Sequence, residues 1–162
     1  MIGRAFPLRQ VPVESLSSGT APVTRHGAAA AELASPGDIL VTAIDGETEA
    51  ATWGEAHTLR ATKRRLAGVL IDGATRDLVA LGRRRFPFLC LESSPVRSSG
   101  RLQTAAINAE VVVVGVTVRP GDLIAIDCDG FDCVPSEHAQ AVLVEASNVM
   151  RREKQRDRNL ER

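Results

Sequence analysis

Two short apolar runs in this sequence follow the same turn. Ser35-Pro36-Gly37-Asp38 precedes Ile39-Leu40-Val41, and Arg119-Pro120-Gly121-Asp122 precedes Leu123-Ile124-Ala125-Ile126. Proline presets φ for the first central position of a tight turn and glycine accepts a positive φ at the second. Each unit therefore reads as a turn that delivers the chain into a short buried strand. Residues 2–9 also read as a strand, Ser15 to Pro22 as a Ser/Gly/Pro loop, and the Ala-rich stretch Thr24 to Ala34 as a helix. Thr52-Trp53-Gly54-Glu55 has the spacing of a capping box with Thr52 as N-cap, which predicts a helix running toward Arg65. Leu66 to Asp72 then has no polar face, as in a parallel strand covered on both sides.

Gly73-Ala74-Thr75 is expected to turn the chain, and Arg76-Asp77 to open a short helix ending near Gly82. Phe86 to Leu91 reads as a strand with an irregular start at Pro87. Val111 to Val118 reads as one strand, kinked or bulged at Gly115. Leu123 to Asp127 and Phe131 to Val134 are short strands around Cys128-Asp129-Gly130. A last helix starts at Pro135-Ser136-Glu137, with Ala139, Val142, Leu143, Ala146, Val149 and Met150 at helical spacing. The pattern predicts an α/β fold with a second layer of strands and a closing helix. Residues 1–150 form one domain on this reading. Residues 151–162, nearly all charged, form a helix extension or tail.

Composition narrows the function. Twenty basic and twenty acidic residues cancel in a chain of 162, so no overall field attracts nucleic acid. Aromatic residues are only 3%, with no Tyr, which argues against a base-stacking surface. Three Cys without framework spacing point to a reducing compartment. With neither a membrane span nor a signal peptide in the sequence, a cytoplasmic protein is expected, without nucleic-acid or membrane partners.

Two segments carry candidate chemistry. Arg76 and Asp77 follow the most apolar strand, where ligands gather in α/β sheets. Arg can clamp a carboxylate or carbonyl at two points. Asp can hold a hard cation such as Mg²⁺, which often takes one or two carboxylates and keeps several waters. The plainer alternative is that Asp77 complements a helix dipole and Arg76 is solvated. In Gly54-Glu55-Ala56-His57, the glycine permits close approach of a ligand, and the first N–H groups of the helix suit an anion. The alternative there is that Glu55 only completes a cap and His57 lies on the surface. Cys128, Cys133 and His138 match no common zinc spacing. Lys63-Arg64-Arg65 and Arg83-Arg84-Arg85 read as solvated helix ends.

Several pieces stand together in a recognisable order: Pro36-Gly37-Asp38-Ile39-Leu40-Val41, Trp53-Gly54-Glu55, Gly68 to Asp77, Phe86-Pro87, Gly115 to Asp122, and Asp127 to Gly130. From about Ile2 to Glu153 the chain resembles the RraA-like family, which includes the class II hydroxymethyl-oxoglutarate (HMG/CHA) aldolases. That resemblance implies a layered β/β/α swivelling-domain fold assembled as homotrimers, sometimes hexamers. It implies Mg²⁺- or Mn²⁺-dependent cleavage of 4-hydroxy-4-methyl-2-oxoglutarate or a similar oxo acid to release pyruvate, with oxaloacetate decarboxylation as a companion activity. Carried over residue by residue, Asp77 anchors the metal and Arg76 contacts the oxo-acid end. Gly54, Glu55, Ala56 and His57 hold the pyruvyl carboxylate through backbone N–H groups, and Glu55 sits beside the metal's waters. Glu153 is the match for a carboxylate that reaches a neighbouring subunit's site. Family members usually carry a further helical segment ahead of the part matched by Ile2, from which some aldolases draw a catalytic acid. Some relatives instead regulate ribonuclease E by protein contact and lack the aspartate that stands here as Asp77. A non-catalytic regulator or an inactive, truncated homologue is therefore the alternative reading.

Overall fold

The computed structural model describes residues 1–13, 27 and 32–160. The expected loop at Ser15 to Pro22 and most of the expected helix at Thr24 to Ala34 lie outside the described residues. The strands are β1 (Ile2–Pro12), β2 (Asp38–Ala43), β3 (Ala51–Trp53), β4 (Gly68–Thr75), β5 (Phe88–Ser93), β6 (Leu102–Ile107), β7 (Val111–Val113), β8 (Val116–Val118), β9 (Leu123–Ile126) and β10 (Phe131–Val134). The helices named among the described residues are α1 (Glu55–Arg64), α2 (Leu78–Arg84) and α3 (Ala139–Leu160), the last preceded by a 3₁₀ turn at Ser136–His138.

Eight strands form one mixed sheet with the path β10-β9-β1-β2-β4-β3, to which β5 adds beside β4 and β6 beside β1. Strands β1, β2, β4 and β5 run parallel, and β9 and β6 pair antiparallel with β1. Alternation along the strands sorts side chains to two faces. Phe6, Leu40, Val69 and Ile71 join Trp53, Ala61 and Leu81 in one cluster, so α1 and α2 cover that face. Ala5, Ile39, Val41 and Leu70 join Val111, Val113, Val118 and Ile124 in the other, so the β7–β8 hairpin covers the opposite face. The result is the expected layering of strands, sheet and helices. Every residue of β4 is buried, as its unbroken apolar run predicts.

The recurrent Pro-Gly turns are the same device twice. Asp38 N–H donates to the Ser35 carbonyl and Asp122 N–H to the Arg119 carbonyl, both at 3.1 Å. Gly37 and Gly121 take the positive φ, +88° and +85°. Each aspartate also closes the turn through its carboxylate: Ser35 N–H donates to Asp38 at 2.7 Å, and Arg119 N–H to Asp122 at 2.8 Å. The two turns start the strands on either side of β1.

Four expectations need correction. Thr52 is not the N-cap: it is a buried residue of β3, its hydroxyl is bonded to the Gln10 side chain, and Gly54 stands at the cap position of α1. Gly73-Ala74-Thr75 does not turn; the strand continues to Thr75 because β3 and β5 pair with its end. Val111 to Val118 is two strands, not one kinked strand. Val114 and Gly115, with φ of +48° and +78°, reverse the chain between them. Strand β6 was not expected at all. Its sequence, Leu102-Gln103-Thr104-Ala105-Ala106-Ile107, lacks a clear apolar alternation. The last helix continues to Leu160, so most of the charged stretch is helical, and none of that helix is buried.

Candidate functional site

Backbone pairing brings the two chemistry-bearing segments together. Ala51 pairs with Ala74 and Trp53 with Thr75, and Arg76 N–H then donates to the Trp53 carbonyl at 3.1 Å. Gly54, which opens α1, therefore lies directly against Arg76 and Asp77, which follow β4. A Cβ at Gly54 would stand 2.7 Å from Asp77 Oδ2 and 3.0 Å from Arg76 Cγ and Nε. The glycine is needed for this contact and not for its own conformation, since φ of −177° is ordinary extended backbone.

Asp77 caps the wrong helix for the plain reading. It stands at the cap position of α2 in the left-handed region (φ +62°) but makes no side-chain cap bond there. Its Oδ2 instead accepts the Glu55 N–H at 3.1 Å, at the start of α1. That contact uses one of the N–H groups expected to hold a substrate carboxylate. Arg76 Nε is 3.8 Å from the same oxygen, a loose pairing. Glu55 is engaged as well: its Oε1 accepts from Arg84 Nε and Nη2 at 2.9 and 2.6 Å.

A cavity of about 210 Å³ opens beside these residues, lined by Thr52, Trp53, His57, Arg76, Arg97 and Ser98 among others. Arg97 arrives from the β5–β6 connection and bridges to Ala51. His57 borders this cavity. Its ring lies 5.3 Å from the Trp53 ring, while the Trp53 indole N–H donates to Thr58 Oγ1 at 2.9 Å. Burial first, then the Arg60 and Arg76 charges, lower the His57 pKa to about 4, so the imidazole is neutral at pH 7. A neighbouring hollow of about 310 Å³ takes in Asp77, Arg76, Ser93 and Ser94. Arg76 thus stands between the two spaces. The structure brings together Gly54, Arg76 and Asp77, which the sequence singled out, and adds Arg84, Arg97 and the serines, which it did not connect with them. Nothing in their spacing marked them; only strand pairing gathers them.

Other candidates fall elsewhere. Glu153 lies on the exposed α3 and lines neither space. Cys133 Sγ is 3.8 Å from Asp122 Oδ2, apart from Cys128, which groups with Asp127 and Asp129 on an exposed turn. A wider hollow of about 520 Å³ between Met1 and the β9–β10 turn has Asp127, Asp129 and Asp132 at its rim and no Lys or Arg. It repels anions, so the smaller cationic cavity is the better acid-binding site.

Residues 1–131 match the sequence profile of the RraA-like family, Aldolase/RraA. The chain belongs to this family. A protein of Halalkalibacterium halodurans with the provisional name 4-hydroxy-4-methyl-2-oxoglutarate aldolase is 33% identical over 125 residues, 77% of this chain and 59% of its own. A protein of the same provisional name from Alcanivorax borkumensis is 31% identical over 99 residues, 61% of each chain. The RraA-like chain described here thus spans about three-fifths of those relatives' lengths. Among solved structures, Streptomyces coelicolor RraAS2, described as an unusual member of the RNase ES inhibitor RraA family, superposes with a TM-score of 0.84 at 27% identity. That match covers 95% of this chain and 75% of the other. No described helix of the RraA-like chain is long and apolar enough to cross a membrane.

Proposed function

We propose that this RraA-like chain binds a small 2-oxo acid in the cationic cavity and serves a divalent-metal-dependent lyase that releases pyruvate from a 4-hydroxy-2-oxo acid. The observation that carries the reading is the contact of Gly54 with Arg76 and Asp77. It sets a planar cation that borders both spaces beside an anchored carboxylate and a helix start. The donor set fits Mg²⁺ or Mn²⁺. Asp77 is a hard oxygen ligand, its Oδ2 fixed by Glu55 N–H and its Oδ1 left for a cation, and the adjacent hollow has room for the waters such ions keep. A bound divalent ion would supply Lewis-acid polarisation of the 2-oxo group.

As the C4 hydroxyl gives up its proton to become a carbonyl, the bond between C3 and C4 breaks, its electron pair forms the pyruvate enolate, and a proton returned to C3 completes pyruvate. Arg76 stabilises the charge that develops on the oxo oxygen, and its rigid fork orients the oxo-acid end. First-turn N–H groups of Ala56 and His57 favour the pyruvyl carboxylate, since Glu55 N–H is given to Asp77. Glu55 Oε1 is occupied by Arg84, so contact with a proton-carrying water falls to Oε2. Glu153 is assigned to the site of a neighbouring copy. Oxaloacetate decarboxylation would pass through the same enolate and use the same groups. Asp77, with its oxygen ligand set, favours this lyase over a purely regulatory protein.

The test is pyruvate release from 4-hydroxy-4-methyl-2-oxoglutarate and from oxaloacetate, with Mg²⁺ and with EDTA. EDTA and Asp77→Ala should each abolish turnover. Gly54→Ala, which displaces Asp77 and Arg76, should lower kcat by on the order of a hundredfold, the scale of misplaced catalytic groups. Equal rates in all samples would refute the lyase.

A further inference from the structure

Two turns in this fold share one backbone conformation and one acceptor. Asp45-Gly46, between β2 and β3, has φ of +53° and +76°. Val114-Gly115, between β7 and β8, has φ of +48° and +78°. Positive φ at both central positions suits asparagine, aspartate and glycine. Val114 is β-branched, for which this region is a strained outlier, and at 57% exposure it gains little burial in return. The first turn closes on itself, with Glu47 N–H donating to the Ile44 carbonyl at 3.1 Å. The second is the tip of a hairpin of only three residue pairs.

Asp72 of β4 stands between them. It pairs with Ala43 and is 5% exposed. Leu70, two residues earlier, packs with Val111 and Val113, so alternation turns Asp72 to the hairpin side of the sheet. The backbone N–H groups of Val114 and Gly46 both donate to its carboxylate. The first turn also presses on the next residue: a Cβ at Gly73 would stand 2.1 Å from Ile44 Cδ1 and 2.5 Å from the Glu47 carbonyl oxygen. Charged groups around this carboxyl are few. Asp45 lies on the turn itself and pairs with Arg9 of β1 at 3.1 Å. The Glu47 carboxylate accepts from Glu49 N–H at 2.6 Å. Val113 to Val116 at the hairpin tip carry no titratable side chain, and neither does Ala43. On β5, Cys90 packs on the helix side, and the exposed Glu92 pairs with Ala74.

We propose that Asp72 is a clasp: one buried carboxyl holds both turns on the sheet and loosens both when it ionises. Burial pushes the Asp72 carboxyl above the usual carboxylate range, and the Asp45 charge adds to the rise, against the pull of the two N–H groups. Lifting either turn lets water reach the carboxylate and removes the penalty of burying its charge. Opening is therefore suppressed while Asp72 holds its proton, and it grows as the pH rises through the raised pKa. Asp72 lines neither space beside Arg76, and the clasp does not depend on the lyase.

The test is residue-resolved amide hydrogen exchange by NMR on the full chain from pH 4 to 8, corrected for the intrinsic pH dependence of exchange. The Asp72 carboxyl carbon is followed by its ¹³C shift in the same samples. The Gly46 and Val114 amides should open more often as the pH rises, both with the midpoint at which the Asp72 carbon titrates. The Leu40 amide, inside β2 between two paired strands, reports any global change. Asp72→Asn keeps an acceptor oxygen and does not ionise, so both profiles should become flat. Asp72→Ala removes the acceptor, and both amides should open roughly tenfold more often at every pH, the scale of one lost buried hydrogen bond. Asp45→Asn removes a like charge and should move the midpoint to lower pH. The clasp is overturned if only one amide responds, if the two respond at different pH values, if neither follows the Asp72 carbon, or if the response survives in Asp72→Asn. The midpoint comparison uses the unmodified protein, so it decides the matter even where a variant fails to fold.

Discussion

His57 shows how much of a site depends on surroundings the sequence does not display. Its number and neighbours suggested a surface residue contributing only a backbone N–H. In the fold it is walled by Trp53 and repelled by two arginines, and its pKa falls to about 4 from an ordinary 6.5. The unfolded chain therefore takes up a proton below pH 6.5 that the folded chain refuses until about pH 4. Stability from this residue is complete above pH 6.5 and is lost as the pH falls toward 4. A shift of this size corresponds to roughly 3 kcal/mol. Thermal melts between pH 7.5 and 4.5 should show this decline, and His57→Gln should flatten it; an equal slope in both proteins would contradict the shift. Arg76 and Asp77, by contrast, stood out in the sequence because they follow a buried strand, and the structure sets both against Gly54. Arg97 did not, because it reaches the edge of the same cavity only through the pairing of its loop with Ala51.

At the scale of elements, local signals succeeded where a turn or an apolar run is self-sufficient and failed where a tertiary partner decides. The two Pro-Gly turns were readable because proline, glycine and aspartate each do one local job. Thr52 was misread because its hydroxyl bonds to Gln10 across the sheet instead of capping the next helix. Gly73 to Thr75 stayed extended because strands on both sides supply hydrogen bonds. The twin turns also differ in a measurable way. Asp122 is buried and accepts from both Arg119 N–H and Ser136 N–H, tying the turn to the 3₁₀ segment before α3. Asp38 is less buried and, among the described residues, its carboxylate serves the turn alone, through Ser35. Asp122→Ala should therefore cost roughly 2–4 kcal/mol and Asp38→Ala about 1 kcal/mol, read by urea denaturation. Equal losses would show that burial of Asp122 adds nothing.

At the scale of the whole molecule, the layered α/β architecture was legible because apolar runs separated cleanly into those with one covered face and those with two. The solvent side of α3 was not. Its Val142, Leu143, Val149 and Met150 stand at helical spacing in the sequence, and all four remain exposed within the single chain. An apolar stripe left open on a long helix is the mark of a surface that another molecule covers. Following the family resemblance, sedimentation at micromolar concentration should show a trimer, and Val142→Glu with Met150→Glu should shift it toward monomer. A stable monomer before substitution would contradict this. The placement of β1 has a further result, concerning how the molecule is made. One edge of β1 pairs with β2, while β9 and β6 divide the other between its start and its end. During synthesis β1 must thus wait for residues 102–107 and then 123–126 before that edge is closed. At ordinary rates of synthesis the wait is on the order of ten seconds. Throughout it the nascent chain offers Ala5, Phe6 and Leu8 on an open strand, so the unpaired edge that invites aggregation belongs to its early life more than to its finished state.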